Sequence, residues 1–440
     1  MSLNELKRKV CRCIDERKEE LISIGEKILK NPELGYKEEK TAELVKKNFE
    51  KVGIEYRDKL ALTGVKGKIG IKSPNIAILG ELDAVISPDH PYANKKTGAA
   101  HACGHNTMIT NLLGVCFGLI DSKVIKNLDG SVTFFAVPAE EYIEIEFRKK
   151  LMKEGKIEFL GGKQELIRLG EFDDIDMAMM FHPAPNLPAR IVNTNLSMNG
   201  FIGKMIRYVG RGSHAGAAPE EGINALNAAI IGLQGINSLR ETFKDEDCIR
   251  VHPIITKGGE GVNIVPSDVR IESYVRAKKI DVLVETNKKV NKALEAGAMA
   301  IGANIEINDL PGYMPLIPND IMGKAFSKNA SEILGNENVM ESSIHSTGSS
   351  DMGDVTQIIP GIHPFVGGFE GGLHSKEFKI VDKEMAYIIP AKIMAMTVID
   401  LLYNNATLAK EVLKEKKKPK EEYLTEIRNM KKTIKKEYMS

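Results

Sequence analysis

Residues 75–84 read NIAILGELDA, a mostly apolar run that ends in Glu81 and Asp83. A short apolar run of this kind predicts a strand buried on both faces, the sort that parallel sheets use. Two later stretches repeat the pattern. GSVTFFAVPAEE (130–141) ends in Glu140 and Glu141, and DIDMAMMFHP (174–183) reaches His182. Between the first two lies MITNLLGVCFGLI (108–120), which predicts a buried helix. Strands alternating with helices predict an α/β domain with a largely parallel sheet. Ligands bind such sheets beyond the carboxyl ends of the strands. Three strands that end in Asp, Glu or His therefore predict a site.

Just before that helix stands HACGHN (101–106). In an extended loop, residues i and i+2 point the same way, so Cys103 and His105 can share a target. Thiolate and imidazole are both zinc ligands. Taken alone, the pair reads as a redox thiol, a nucleophile, a metal site or an ordinary loop. Glu140 and Glu141 are adjacent and project to different sides, so one can bind metal while the other moves protons. A solvated pair on a turn is the plain alternative. Alone, His182 reads as a satisfied structural group, His374 in GGLHSKEF as a loop histidine and Asp83 as a strand-end cap.

The rhythm changes from about 198 to 308. Strand, helix, strand, strand, helix, strand is the order of a ferredoxin-like βαββαβ module, inserted into the α/β domain. The expected division is 1–197 and 309–405 for the catalytic domain, 198–308 for the insertion and 406–440 for a charged appendage. Residues 4–30 and 38–52 read as helices, and a long helix is expected near 383–404.

Composition limits the function classes. A chain of 440 residues predicts two or more domains. Lys plus Arg is 61 against 60 for Asp plus Glu, which offers no electrostatic case for nucleic acid or membrane partners. Five cysteines, odd in number and sparse, argue against a disulfide framework and for a cytoplasmic location. The start lacks the features of a signal peptide, and no apolar run is expected to span a bilayer. Cys11 and Cys13 would point to different faces of a helix and read as incidental.

Further stretches complete a pattern: NPELGYKEEKTAELVKKNFEKVGI (31–54), GRGSHAGAAPEEGINAL (210–226), GGEGVNIVPSDVRIESYVRA (258–277), SSDMGDV (349–355) and LHSKEF (373–378). In order, over roughly residues 30–380, the chain resembles the aminoacylase-type co-catalytic metallo-amidohydrolase and metallopeptidase family. It is most similar to the branch of indole-acetyl-amino-acid hydrolases, N-acyl-amino-acid amidohydrolases and p-aminobenzoyl-glutamate hydrolases. The resemblance implies a catalytic domain of zinc-peptidase type, with the inserted module as lid and dimerisation domain. It also implies two divalent ions per subunit (zinc, manganese or cobalt) held by Cys103, His105, Glu141, His182 and His374. Cys103 would replace a bridging carboxylate. Glu140 would be the general base, and Asp83 would steady a metal-site histidine. His214, Asn263 and Arg276 would face the substrate, with His214 usually reaching the partner subunit's site. The implied substrate is an N-acyl or N-aroyl amino acid or a small dipeptide-like compound, and the implied assembly is a homodimer.

Three departures stand out. Glu81 occupies the place of a ligand histidine found in other branches. Asn106 replaces the aspartate of many members of this branch. The stretch after Glu141 is long, with a charged insert around EFRKKLMKEGKIEF (146–159) that could reshape the pocket mouth. Two other functions remain to be weighed. A thiol amidase using Cys103 would leave the Glu pair, His182 and His374 without roles. A non-catalytic metal-binding relative would have no use for the spare base Glu140.

Overall fold

The run that opens the sequence pattern forms the strand Asn75–Glu81, buried at every residue. In this computed structural model the described residues are 1–341 and 345–439. The chain divides into two units. The first comprises Met1–Ser197, Ile317–Ile344 and Asp354–Pro419, and the second Met198–Leu316, His345–Gly353 and Lys420–Ser440.

The sheet of the first unit has the order Tyr56–Leu60, Gly64–Ile69, Ser131–Val137, Asn75–Glu81, Met177–Met179, Gly361–Ile362. The last four run parallel, and the first two form an antiparallel edge. Ser131–Val137 is also buried throughout, as a strand covered on both faces must be. Its two phenylalanines show the alternation: Phe134 meets Phe49 at 6.4 Å between ring centres, while Phe135 meets Phe172 at 5.5 Å. The helix His105–Asp121 lies against the Asn75–Glu81 strand and is buried from His105 to Leu119, so it is a core helix rather than an amphipathic one.

Two sequence expectations are corrected here. The helix read over 4–30 is two helices, Leu3–Glu16 and Lys18–Leu29. Arg17 at the joint turns its guanidinium onto Asp121 at 2.9 Å, outside the register of either helix. The stretch Lys383–Val412 is long and apolar enough to cross a membrane by composition, contrary to expectation, yet 89% of its most apolar window is buried inside the protein. It is a core element, and its helix Ile389–Val412 is interrupted where Asn404, Asn405 and Ala406 take positive φ.

In the second unit the strands Gly200–Val209, Arg250–Lys257, Asp268–Ala277 and Asn304–Pro311 alternate with the helices Ala225–Leu239 and Ile280–Ile301 in βαββαβ order. The sheet is antiparallel. The two helices cross closely, since a Cβ on Gly297 would lie 2.3 Å from the Ala228 carbonyl oxygen. Between helix and sheet, buried Lys204 donates to Asn287 at 2.7 Å and pairs with Asp309. Residues 406–440, expected as one charged appendage, divide. Residues up to Val412 continue a first-unit helix, whereas Lys432–Lys436 pairs with Asn304–Pro311 as a fifth strand of the second-unit sheet.

Candidate metal centre

The site of the first unit is built from segments that follow strand ends. Glu81 closes its strand, and Asp83 lies two residues beyond. Glu140 and Glu141 follow Ser131–Val137, and His182 lies just past Met177–Met179. Cys103 sits in the loop before the helix that begins at His105. Gly104 between them has φ +82°, and a Cβ there would meet Pro183 at 2.6 Å, so glycine lets the loop turn close against the segment that carries His182.

These side chains converge. Cys103, His105 and His182 offer ligand atoms within 4.8 Å of one another, as do Cys103, Glu141 and His374, and also Glu81, His105 and Glu140. The Cys103 Sγ is 3.3 Å from His182 Nε2. The His374 Nε2 is 3.2 Å from a Glu141 oxygen. His105 Nδ1 lies 2.9 Å from the Asp83 carbonyl oxygen and 3.3 Å from its carboxylate. With Nδ1 engaged there, Nε2 is the nitrogen turned toward the other groups, 3.1 Å from Glu81 Oε2. His182 repeats the arrangement, with Nδ1 2.7 Å from the Pro183 carbonyl oxygen. Asp83 also accepts the Glu141 N–H at 2.9 Å, so one carboxylate orients two proposed ligands.

Among the described residues, the buried atoms here that lack a hydrogen-bond partner include Glu81 Oε2, His105 Nε2 and Glu141 Oε1. Buried polar atoms left open are costly, and cations held in the first two groups would satisfy His105 Nε2 and Glu141 Oε1. The donor set of thiol, imidazole and carboxylate suits zinc or a similar divalent ion. The residues present thus fit the implied metal centre.

The same groups are electrostatically coupled. Burial opposes ionisation of Cys103 and Glu141 adds to that opposition, but His182 and His105 outweigh both and bring the thiol down to about 6. Burial works against a proton on His374, yet the Glu141 carboxylate lifts it to about 11. His105 is raised well above its usual value, with burial opposing and Glu81 and Cys103 prevailing. Burial and the neighbouring His105 hold His101 down at about 3.

Sequence reasoning did not single out several groups at this site. Lys163, fully buried, donates to Glu81 Oε1 and so leaves Oε2 open. Glu38, equally buried, accepts the Ala139 N–H at 2.8 Å and the Thr63 hydroxyl at 2.7 Å. His363 lies 5.6 Å from His182 between ring centres, and burial and His182 hold it well below its usual pKa. Each acts through a partner remote in sequence, and no local motif marks it.

Three of the expected residues belong to the second unit. Exposed His214 accepts the N–H groups of Gly216 and Ala217 on Nδ1, at 3.2 and 3.0 Å, which fixes Nε2 as the protonated nitrogen. Its loop pairs with that of Asn263, whose carbonyl accepts the Ala215 N–H. Arg276 lies over the rings of Phe201 and Tyr274 at 5.3 and 5.4 Å and donates to Ser349 at 2.8 Å.

Comparison with known proteins follows the same lines. The model of Peptidase family M20/M25/M40 matches residues 77–398. The Xaa-Arg dipeptidase of Mus musculus is 28% identical over 430 residues, covering 92% of this chain and 91% of that protein. The IAA-amino acid hydrolase ILR1-like 4 of Arabidopsis thaliana is 29% identical over 362 residues, 79% of this chain and 77% of the relative. Among solved structures, the YXEP protein of Bacillus subtilis, described as a dinuclear metal binding peptidase from the M20 family, is alike in fold. It has a TM-score of 0.67 at 22% identity, over 88% of this chain and 99% of its own.

Proposed function

The chain belongs to peptidase family M20/M25/M40, and on that premise we propose that it is a metal-dependent amidohydrolase of N-acyl or N-aroyl amino acids or small dipeptide-like compounds. The observation that carries the reading is the pair of ligand groups sharing the Cys103 thiol, with Glu140 beside them. Cys103, His105 and His182 would hold one divalent ion, and Cys103, Glu141 and His374 the other. When bound, such ions activate water and polarise the scissile carbonyl.

The chain's own groups supply the rest. Glu140, 8% exposed, takes the proton of the attacking water and returns it to the leaving nitrogen, as base and then as acid. Amide cleavage needs the second act, because an unprotonated amine leaves poorly. Asp83 keeps Nδ1 of His105 protonated, so Nε2 is presented as a ligand. Lys163 pairs with Glu81, which would otherwise add its carboxylate charge to those of Asp83, Glu140 and Glu141.

On the substrate side the family resemblance favours His214, Asn263 and Arg276. The Nε2 proton of His214 suits a developing oxyanion. The planar guanidinium of Arg276 suits a two-point grip on a substrate carboxylate. Xaa-Arg dipeptidase and IAA-amino acid hydrolase both carry names that denote amide substrates with an amino-acid part, which agrees with this assignment. A homodimer through the second unit belongs to the same proposal.

The test is Glu140→Gln in the metal-loaded chain. The expected result is retained metal with kcat reduced about 10²- to 10⁴-fold, the usual worth of a general base. Undiminished hydrolysis would remove Glu140 from the mechanism.

A further inference from the structure

The charged stretch after Glu141 buries one side chain that a surface insert would leave in water. Arg148, in the helix Ile145–Lys153, is fully buried. One guanidinium nitrogen donates to the Leu160 carbonyl at 2.7 Å, and the other donates to the carbonyl of Glu141. The guanidinium carbon lies 5.3 Å from the centre of the Tyr36 ring. A Cβ on Gly35 would come within 2.5 Å of the same guanidinium, so glycine leaves the space that it fills.

The insert is also fastened from outside to the loop that carries Tyr36. Lys37 reaches both carboxylate oxygens of Glu144, at 2.7 and 2.8 Å, and lies 4.0 Å over the Phe147 ring. The next residue, Glu38, accepts the N–H of Ala139. The turn from Ala139 to Glu141 is thus held at four backbone groups. Glu38 takes the Ala139 N–H, and the Gly162 N–H donates to the Ala139 carbonyl at 3.0 Å. Asp83 takes the Glu141 N–H, and Arg148 donates to the Glu141 carbonyl. Ala139 has φ 52°, a left-handed conformation that a residue with a Cβ keeps only when its surroundings over-determine it.

We propose that Arg148 is a positioning residue for the Glu140–Glu141 turn, and that the insert is a buttress fixing the Glu141 carboxylate against Cys103 and His374. The inference rests on the reading of Glu141 as a metal ligand. Arginine suits the position because its rigid fork serves two carbonyls at once and its charge is permanent. A lysine carries its donors on a single nitrogen and lacks the planar fork that spans the two carbonyls.

The test titrates the manganese-loaded full chain with a chelator while bound manganese is counted. Wild type, Arg148→Lys, Arg148→Ala and, as a reference for a lost ligand, Glu141→Ala are compared. Arg148→Ala should release one ion about 10- to 100-fold more readily than wild type, the usual cost of losing a group behind a ligand, and hold the other nearly as tightly. Arg148→Lys should fall between the two. Guanidinium ion at low millimolar concentration should restore part of the affinity in Arg148→Ala and none in Glu141→Ala. If Arg148→Ala does not fold, Arg148→Lys carries the comparison. A melting temperature lowered with both affinities unchanged would overturn the proposal, while a lost ion in Glu141→Ala would leave the ligand reading standing. Two tightly held ions in Glu141→Ala would overturn both.

Discussion

Cys103 belongs to both ligand groups, so its removal acts on two ions at once. Cys103→Ala should lose bound metal and activity together, as read by counting metal per chain after gel filtration. Its 3.3 Å approach to His182 and its thiol at about 6 would also suit a thiolate nucleophile, and full metal content with lost activity would favour that reading. Glu38 makes a separate prediction. Burial, with Asp83 nearby, raises its pKa from 4.5 to about 7 against the hydrogen bonds of Thr63 and Ala139. The folded chain therefore keeps a proton that the unfolded chain gives up. That stability is fully present below 4.5 and is lost as pH rises through about 7. Denaturation curves of wild type and Glu38→Gln should show wild type losing stability relative to the variant across this window. Parallel pH profiles would contradict the shift. At this scale strand ends and Gly-marked loops drew attention to Cys103, His105, Glu141, His182 and His374, and the family resemblance proposed them together as ligands. The sequence could not disclose Glu38, Arg148 and Lys163, which act on atoms 101, 7 and 82 positions away through a folded backbone.

Among the elements, the buried strands were the most legible, because a strand covered on both faces leaves an unbroken apolar run. The joint at Arg17 was not, since its cause is Asp121, which lies 104 positions further along the chain. The composition of Lys383–Val412 cannot distinguish a core helix from a membrane span; only the packing around it does. The start of the helix Gly162–Arg168 gives an element-scale test. A Cβ on Gly162 would lie 1.7 Å from the Pro138 carbonyl oxygen, so Gly162→Ala must push the Glu140 turn or the helix aside. It should cost about 1–3 kcal/mol, the usual penalty for overpacking, and lower kcat as well. Gly155 has φ +69° with nothing near its Cβ, so Gly155→Ala should cost about 1–2 kcal/mol and leave kcat unchanged. Equal kinetics in the two variants, followed by denaturant midpoints and initial rates, would separate the turn from catalysis.

At the scale of the whole molecule, the βαββαβ order was legible from alternation and turn residues. The fate of the tail was not, because a Lys-rich strand such as Lys432–Lys436 looks like a solvated segment until a sheet edge receives it. Deleting residues 420–440 uncovers the Asn304–Pro311 edge. The truncated chain should melt earlier and associate more readily at high concentration, as seen by sedimentation, because an open edge pairs with other chains. The central claim is that metal ions held by these side chains carry amide hydrolysis. It is tested most directly by counting metal and measuring hydrolysis in the same samples while a chelator withdraws the ions. The substrates are N-acetyl, N-benzoyl and p-aminobenzoyl amino acids and small dipeptides. About two ions per chain in the active protein, with the rate falling as they leave and returning on re-addition, is the predicted result. Turnover that persists undiminished in the metal-stripped chain would contradict it.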